Sequence, residues 1–346
     1  MKKFLMVIFC MAMALTLAAC GGAKEAEYKL GMGVVTSLES SKTGTAQVDA
    51  TVAAVVTDAE GKIVVCRIDV AQNKTTIADG VASVVTEFKT KMEKGDAYGM
   101  AGKVDNDGNG VMKEWYDQVY AFEAHVVGMT GAEVAAMGTE LVNGHYISTD
   151  AELLAAGCSM QITDFMEAVA KACEDAQGMT FTTAKEFTLG VAADSFDDGS
   201  SNATAEADGT VKMYTDFAAT VIAEGKILAA LNDAIQPTVG FNAAGEITAK
   251  TYKGTKRELK EGYNMSTYGA NMDPNGDGKV LEWYQQSEAF SKHVVGMTGA
   301  EVAAMETKAN SINYQMTTDE ALLAAGCTIQ ITAIKAVVAE AAANAR

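Results

Sequence analysis

Histidine is scarce, with three in 346 residues, and none has a cysteine or acid at ligand spacing. That argues against a zinc centre. The six cysteines contain no C-x-x-C, so neither a metal knuckle nor a thioredoxin-like motif is present. Beyond the first 20 residues no run of 18 consecutive apolar residues occurs, which leaves no further helix long enough to span a bilayer. No P-loop, nucleophile elbow or G-x-G-x-x-G follows a strand-like run, and no Ser, His and Asp are arranged as a triad. Basic residues are outnumbered, 27 against 45 acids, for a net charge of −18. Such a surface repels a phosphate backbone and excludes nucleic acid as a partner. It favours solubility and cations.

The chain opens Met1-Lys2-Lys3, then runs apolar from Phe4 to Leu17, broken only by Thr16, into Leu17-Ala18-Ala19-Cys20-Gly21-Gly22. A cationic start, a short apolar stretch and small residues before a cut define a secretory signal. The Leu-Ala-Ala-Cys tetrad resembles the lipobox of bacterial lipoproteins. The resemblance covers about 22 residues and implies that Cys20 is lipidated and becomes the new N-terminus. It places the rest on the extracytoplasmic face of the cell membrane, with the membrane as a partner through the lipid. Two or three acyl chains, at about 0.8 kcal/mol per buried CH₂, hold a soluble body firmly. Cleavage removes two of the 27 basic residues and no acid, leaving 327 residues and a formal charge of −20.

Those residues contain an internal repeat. His125 to Met137 recurs unchanged as His293 to Met305. Glu114-Trp115-Tyr116 matches Glu282-Trp283-Tyr284, and Leu153 to Cys158 matches Leu322 to Cys327. A unit of about 160 residues is domain-sized rather than a solenoid repeat. The expected organisation is a signal over 1–19, a tether over 20–27, and repeat domains over 28–183 and 184–346. Gln47 to Thr57, a turn at Asp58-Ala-Glu-Gly61, and Lys62 to Asp69 predict a hairpin. Phe217 to Ile222 and Lys226 to Leu231 predict its counterpart. Trp115, Gln118, Phe122 and Val126 share one helix face; the helix should close at Gly128. Thr130-Gly-Ala-Glu133 and Thr149-Asp-Ala-Glu152 read as capping boxes, as does the start at Thr317. Ser159 to Thr163 and Thr328 to Thr332 alternate like strands, and Ala-rich helices follow over 164–176 and 333–343. The fold class is α+β, present twice, each copy an antiparallel strand-rich front half packed with helices from its back half.

Cys158 and Cys327 correspond, whereas Cys66 and Cys173 have no cysteine counterparts. A disulfide common to both copies is therefore excluded. Buried thiols are the expectation, with Cys66–Cys158 or Cys66–Cys173 as the alternative in the first copy.

Asp105-Asn-Asp-Gly-Asn-Gly110 and Asp273-Pro-Asn-Gly-Asp-Gly278 fit D-x-[DN]-x-[DN]-G. They resemble the first half of an EF-hand or dockerin-type calcium loop. The resemblance implies Asp105, Asp107 and Asn109, and Asp273, Asn275 and Asp277, as ligands of a structural Ca²⁺. The closing acid falls at position 10, as Glu114 and Glu282, where an EF-hand has it at 12. A polar turn capping the Trp helix is the alternative. His125 and His293 read as helix-end cations. Trp115-Tyr116 and Trp283-Tyr284 read as core aromatics or as a stacking platform.

Lys42-Thr-Gly-Thr-Ala46, Gly61-Lys-Ile63, and Thr130-Gly-Ala132 with Thr298-Gly-Ala300 are similar to segments of extracellular FMN-binding-domain lipoproteins. In that family a Thr or Ser after the T-G-A step carries the flavin; here Glu133 and Glu301 stand there. The resemblance implies an alternative function, electron transfer with non-covalent FMN. The primary expectation is a non-catalytic, lipid-anchored binding or surface-interaction protein for an unidentified small-molecule or surface ligand, with two linked copies adding avidity.

Overall fold

The computed structural model describes residues 25–83, 85, 87–103, 105–265, 280–309 and 313–346. Cys20 and the triplet Asp273, Asn275 and Asp277 lie outside the described residues.

The first half runs β1 (Ala26–Ser37), β2 (Thr45–Thr57), β3 (Ile63–Ala78), β4 (Val81–Ser83), α1 (Lys91–Lys94), α2 (Trp115–His125) and α3 (Gly131–Ala135). It continues with β5 (Thr139–Val142), β6 (His145–Ser148), α4 (Ala151–Ala155), α5 (Thr163–Glu174) and β7 (Met179–Thr183). Its antiparallel sheet has the order β4-β3-β2-β1-β7. The second half runs β8 (Thr188–Asp197), β9 (Gly209–Ala223), β10 (Lys226–Ile235), β11 (Thr238–Phe241), β12 (Ile247–Thr251) and α6 (Lys256–Leu259). It closes with α7 (Trp283–His293), α8 (Gly299–Ala303), β13 (Thr307–Ala309), β14 (Gln315–Thr317), α9 (Glu320–Ala324) and α10 (Thr332–Ala343). Here β9 pairs with β8 and β10, while its first residues pair with β11. The fold is α+β, with antiparallel sheets and packed helices.

Each sheet has two buried faces. In β2, Ala53 and Val55 face a core shared with Trp115, Phe122, Phe165 and Val169 of the helices. The alternate residues Val48, Ala50, Val52, Ala54 and Val56 face the other way. They meet Leu189, Val191, Phe217, Ala219 and Leu231 of the second sheet in one continuous core. Ala218, Ala230 and Ala234 face the second half's own helices. The layers are thus helix, sheet, sheet, helix. Period-2 side-chain alternation sends each strand's residues to both faces, and with both faces covered the strands read as near-continuous Val and Ala.

Close approach of helix to sheet explains two glycines. A Cβ on Gly31 would overlap the carbonyl oxygen of Ala172 in α5, and one on Gly190 would overlap that of Ala341 in α10.

The predicted hairpins form, as do the capping boxes at Thr130 and Thr298. The Trp helix ends at His125, with Val126 as its C-cap, and Gly128 follows at φ 84°. Three expectations are corrected. Asp150, not Thr149, caps α4, and Asp319, not Thr317, caps α9; the Asp150 carboxylate accepts from the N2 and N3 amides and that of Asp319 from the N3 amide. Residues 159–162 and 328–331 are not strands. Their alternation reflects inward packing of Met160, Ile162, Ile329 and Ile331, and the amides of Ser159 and Met160 are satisfied by Gln118 Oε1, both at 3.0 Å. The small hairpin β5–β6 was not expected, although Asn143-Gly144 at its turn is a hairpin signal.

Candidate functional site

A cavity lined by aromatic and charged side chains lies in the second half, between β8, β9 and the helices. The anchor of its floor is Asp233, whose Oδ1 accepts from the amides of Ala234 at 2.7 Å and Arg257 at 3.0 Å. This ties the first turn of α6 to β10. Thr255 and Glu258 close a capping box on the same turn. Lys256 is thereby directed inward. It is 6 % exposed, and its Nζ donates to Tyr214 Oη at 2.7 Å. The ammonium also lies 4.6 Å from the Tyr214 ring, 4.7 Å from Tyr263 and 5.2 Å from Trp283. Three rings around a desolvated cation contribute real attraction, on the order of 2 kcal/mol for such a contact.

Beside it Asp216 is 3 % exposed and its carboxylate accepts no hydrogen bond among the described residues. Burial raises its proton affinity, opposed by Lys256 and reinforced by Asp194 and Asp233. Burial lowers that of Lys256, opposed first by Asp216. Phe196 stacks on Tyr214 with centroids 4.7 Å apart and planes at 14°. The cavity these side chains line holds about 200 Å³, and the exposed aromatic residues on its wall are Phe196, 36 % exposed, and Tyr314, 43 % exposed.

The first half has the same scaffold with different furniture. Asp69 Oδ1 accepts from the amides of Val70 and Met92, Thr90 forms the capping box, and Lys91 Nζ lies 5.1 Å from Tyr98 and 5.6 Å from Trp115. By strand register (Gly31 opposite Val55, Gly190 opposite Thr220) Ser37, Asp49 and Thr51 occupy the positions of Phe196, Tyr214 and Asp216. Phe165 packs edge-on against Trp115 at 6.1 Å, where the second half has the smaller Ile334 beside its cavity.

Of the residues singled out in the sequence, Trp283 is 3 % exposed in the helix-side core and also lines the cavity. Trp115 is core only in its described contacts. Tyr116 and Tyr284 are half-buried, their hydroxyls donating to Asp96 and Glu261, both at 2.8 Å. Sequence reasoning missed Phe196, Tyr214, Asp216 and Lys256. No periodic signal marked them: Asp216 stands in a strand that also carries Lys212, Thr215 and Thr220.

In the 105–114 loop, Asp105 Oδ2 accepts from Gly110 N at 3.0 Å and Asn109 Oδ1 from Val111 N at 2.6 Å. Asp107 accepts from the Asn109 side chain at 2.6 Å. Asp105 Oδ1 is buried with no hydrogen-bond partner, an oxygen suited to a cation. Glu114 is otherwise engaged: its two oxygens accept from Met100 N at 2.8 Å and Ala101 N at 3.0 Å. Glu282 accepts likewise from Met265 N at 2.7 Å. Both acids hold the preceding segment against the start of the Trp helix. No group of three or more His, Cys, Asp or Glu stands close enough to hold a metal among the described residues.

Glu133 and Glu301 reach back to the amides of Thr130 and Thr298, each at 2.7 Å. A hydrogen bond from Lys226, with those from Thr298, holds the Glu301 carboxyl down at about 2. These carboxylates are committed caps, so the residues present do not fit a phosphoester-linked flavin. His125 and His293 face the cap residues Asp150 and Asp319 at 3.8 and 3.5 Å. Cys66, Cys158, Cys173 and Cys327 are free thiols; burial pushes Cys158 and Cys327 up to about 12 and Cys173 to about 11, so none is a poised nucleophile.

Comparison with protein families, with curated proteins and with solved structures returned no match for this chain.

Proposed function

We propose that this chain is a non-catalytic, lipid-anchored extracytoplasmic binding protein whose ligand site is the aromatic cavity around Lys256 and Asp216. The carrying observation is the cavity itself: three rings, a buried lysine and a buried carboxylate line one cavity. A concave, mostly apolar pocket with a few convergent polar groups is the usual form of a small-molecule site. The lipobox-like Leu17-Ala18-Ala19-Cys20 supports the anchor, and no described helix is long and apolar enough to cross a membrane. The acid excess supports a soluble body outside the cell. Because the halves share one core, the two copies act as a rigid unit rather than as independently tethered modules.

The test is thermal melting of residues 20–346 against pools of amino acids, sugars, nucleosides, aromatic acids and FMN. A ligand at 100 times its Kd adds about 2.7 kcal/mol to the folded state. At least one pool should raise Tm in the parent protein and not in Phe196→Ala. If every pool is silent, or the rise survives that substitution, the ligand site is not this cavity. Metabolic labelling with palmitate should mark the protein and fail in Cys20→Ala.

A structural calcium ion in the 105–110 loop is a second proposal. It is supported by the buried, unpartnered Asp105 Oδ1.

A further inference from the structure

We infer that the cavity takes a neutral, planar heteroaromatic ligand of one or two fused rings, whose edge presents an N–H to Asp216 and an acceptor to Lys256. This rests on the binding-protein reading above and adds the class of ligand.

Four observations carry it. First, the walls are rings: Phe196, Tyr214, Tyr263 and Trp283, and flat aromatic surfaces favour a flat partner through stacking and edge contacts. Second, Asp216 is buried and accepts no hydrogen bond among the described residues. Asp216 lines the cavity, so its carboxylate is placed to accept a hydrogen bond from a ligand donor. Third, the charges cancel. Lys256 disfavours a cationic ligand and already fills the aromatic cage; Asp216 and Asp198 disfavour an anion. A neutral ring edge with a donor beside an acceptor satisfies both signs. Fourth, about 200 Å³ falls below the 300 Å³ or so at which drug-sized pockets begin.

The first half shows what the site is not. It keeps the lysine, the tyrosine and the tryptophan as Lys91, Tyr98 and Trp115. It has Ser37, Asp49 and Thr51 where the second half has Phe196, Tyr214 and Asp216. The shared residues therefore form a frame common to both halves, and Phe196, Tyr214 and Asp216, particular to the second half, complete the ligand site. One copy has been furnished for binding.

Hypoxanthine is the probe, a two-ring compound with a donor–acceptor edge, followed at pH 8 by tryptophan emission and by Tm. Trp283 borders the cavity whereas Trp115 lies in the other half. Saturable quenching and a raised Tm are expected, lost in Phe196→Ala, weakened at least tenfold in Asp216→Asn and unchanged in Thr51→Ala. Phe196 is at the rim, so its variant retains the fold and keeps the test decisive if Asp216→Asn does not. Absence of binding, equal binding of indole, or an undiminished Asp216→Asn overturns the ligand class. Binding of riboflavin without hypoxanthine overturns the size. A sugar or amino acid that stabilises the parent but not Phe196→Ala ends the heteroaromatic inference while leaving the binding-protein reading intact.

Discussion

The guanidinium of Arg346 donates to both carboxylate oxygens of Glu123, at 3.0 and 2.7 Å, joining the second half of the chain to α2 of the first. Arg67 approaches the same carboxylate at 3.5 Å, and the Ile68 amide donates to it at 2.8 Å. The Arg346 guanidinium also lies 4.5 Å from the Tyr120 ring. Glu123 is 4 % exposed, so removing one cation leaves a buried charge short of its partners. Arg346→Ala should cost about 1–2 kcal/mol, below the 3–5 kcal/mol of a fully buried pair, because the Arg346 side chain is 35 % exposed and solvent screens it. Urea denaturation measures this. No loss of stability would show that the pair is decorative.

The pH dependence has a definite sign. Burial raises Glu123 to about 7, Asp69 and Asp233 to about 6, and Glu340 to about 7. A carboxyl whose folded-state pKa lies above its unfolded value binds more protons when folded. Its contribution is fully present below the unfolded pKa and is lost as pH rises through the folded one. Tm should therefore fall by a few degrees between pH 5 and pH 8, and Glu123→Gln should flatten part of that slope. A Tm that rises across this range would contradict the assignment.

Separate folding of the halves is not expected. Phe217 is fully buried in the core common to both sheets. Phe217→Ala should cost about 3–5 kcal/mol and lower a single calorimetric transition. Two transitions, one of them unmoved, would show that the halves unfold independently.

The glycines at the helix–sheet contacts should be intolerant. Gly31→Ala places a methyl on the Ala172 carbonyl, and Gly190→Ala on that of Ala341. Overpacking of this kind costs about 1–3 kcal/mol or more. Gly61→Ala meets nothing within 4 Å but sits at φ 78°, so its smaller cost, about 1 kcal/mol, comes from backbone strain alone. The three Tm values should rank accordingly.

For calcium, melting in about 1 mM Ca²⁺ against chelator should raise Tm, the folded state gaining RT ln(1 + [Ca²⁺]/Kd) of free energy, and Asp105→Ala should remove the part of the shift due to the first loop. Identical melts in both conditions would leave 105–110 as a hydrogen-bonded turn.

Much of the local structure was legible because its causes are local. Asp58 to Gly61 turns the chain between β2 and β3, and Thr130 with Glu133 starts α3, through contacts spanning three or four residues. Where a neighbour competes, sequence reading slips. Asp150 outcompeted Thr149 as a cap, and Gln118, some 40 residues earlier, took the amides that would have made a strand of residues 159 and 160. The candidate cavity was illegible for a stronger reason: Tyr214, Lys256 and Trp283 are 42 and 27 residues apart in succession, and no periodicity links them.

By itself the sequence determined the repeat, the acid excess, the β2–β3 and β9–β10 hairpins, the capping box at Thr130 and the α+β character, since composition, turn residues and side-chain period act over a few residues. The tertiary structure decided that two repeat units are one body. Alternate residues of β2 and β9 point to opposite faces, so a strand rich in Val and Ala on both must be covered twice. Only folding shows that the second cover is the other copy's sheet, and that the buried Asp216 lies on the helix side, lining a cavity.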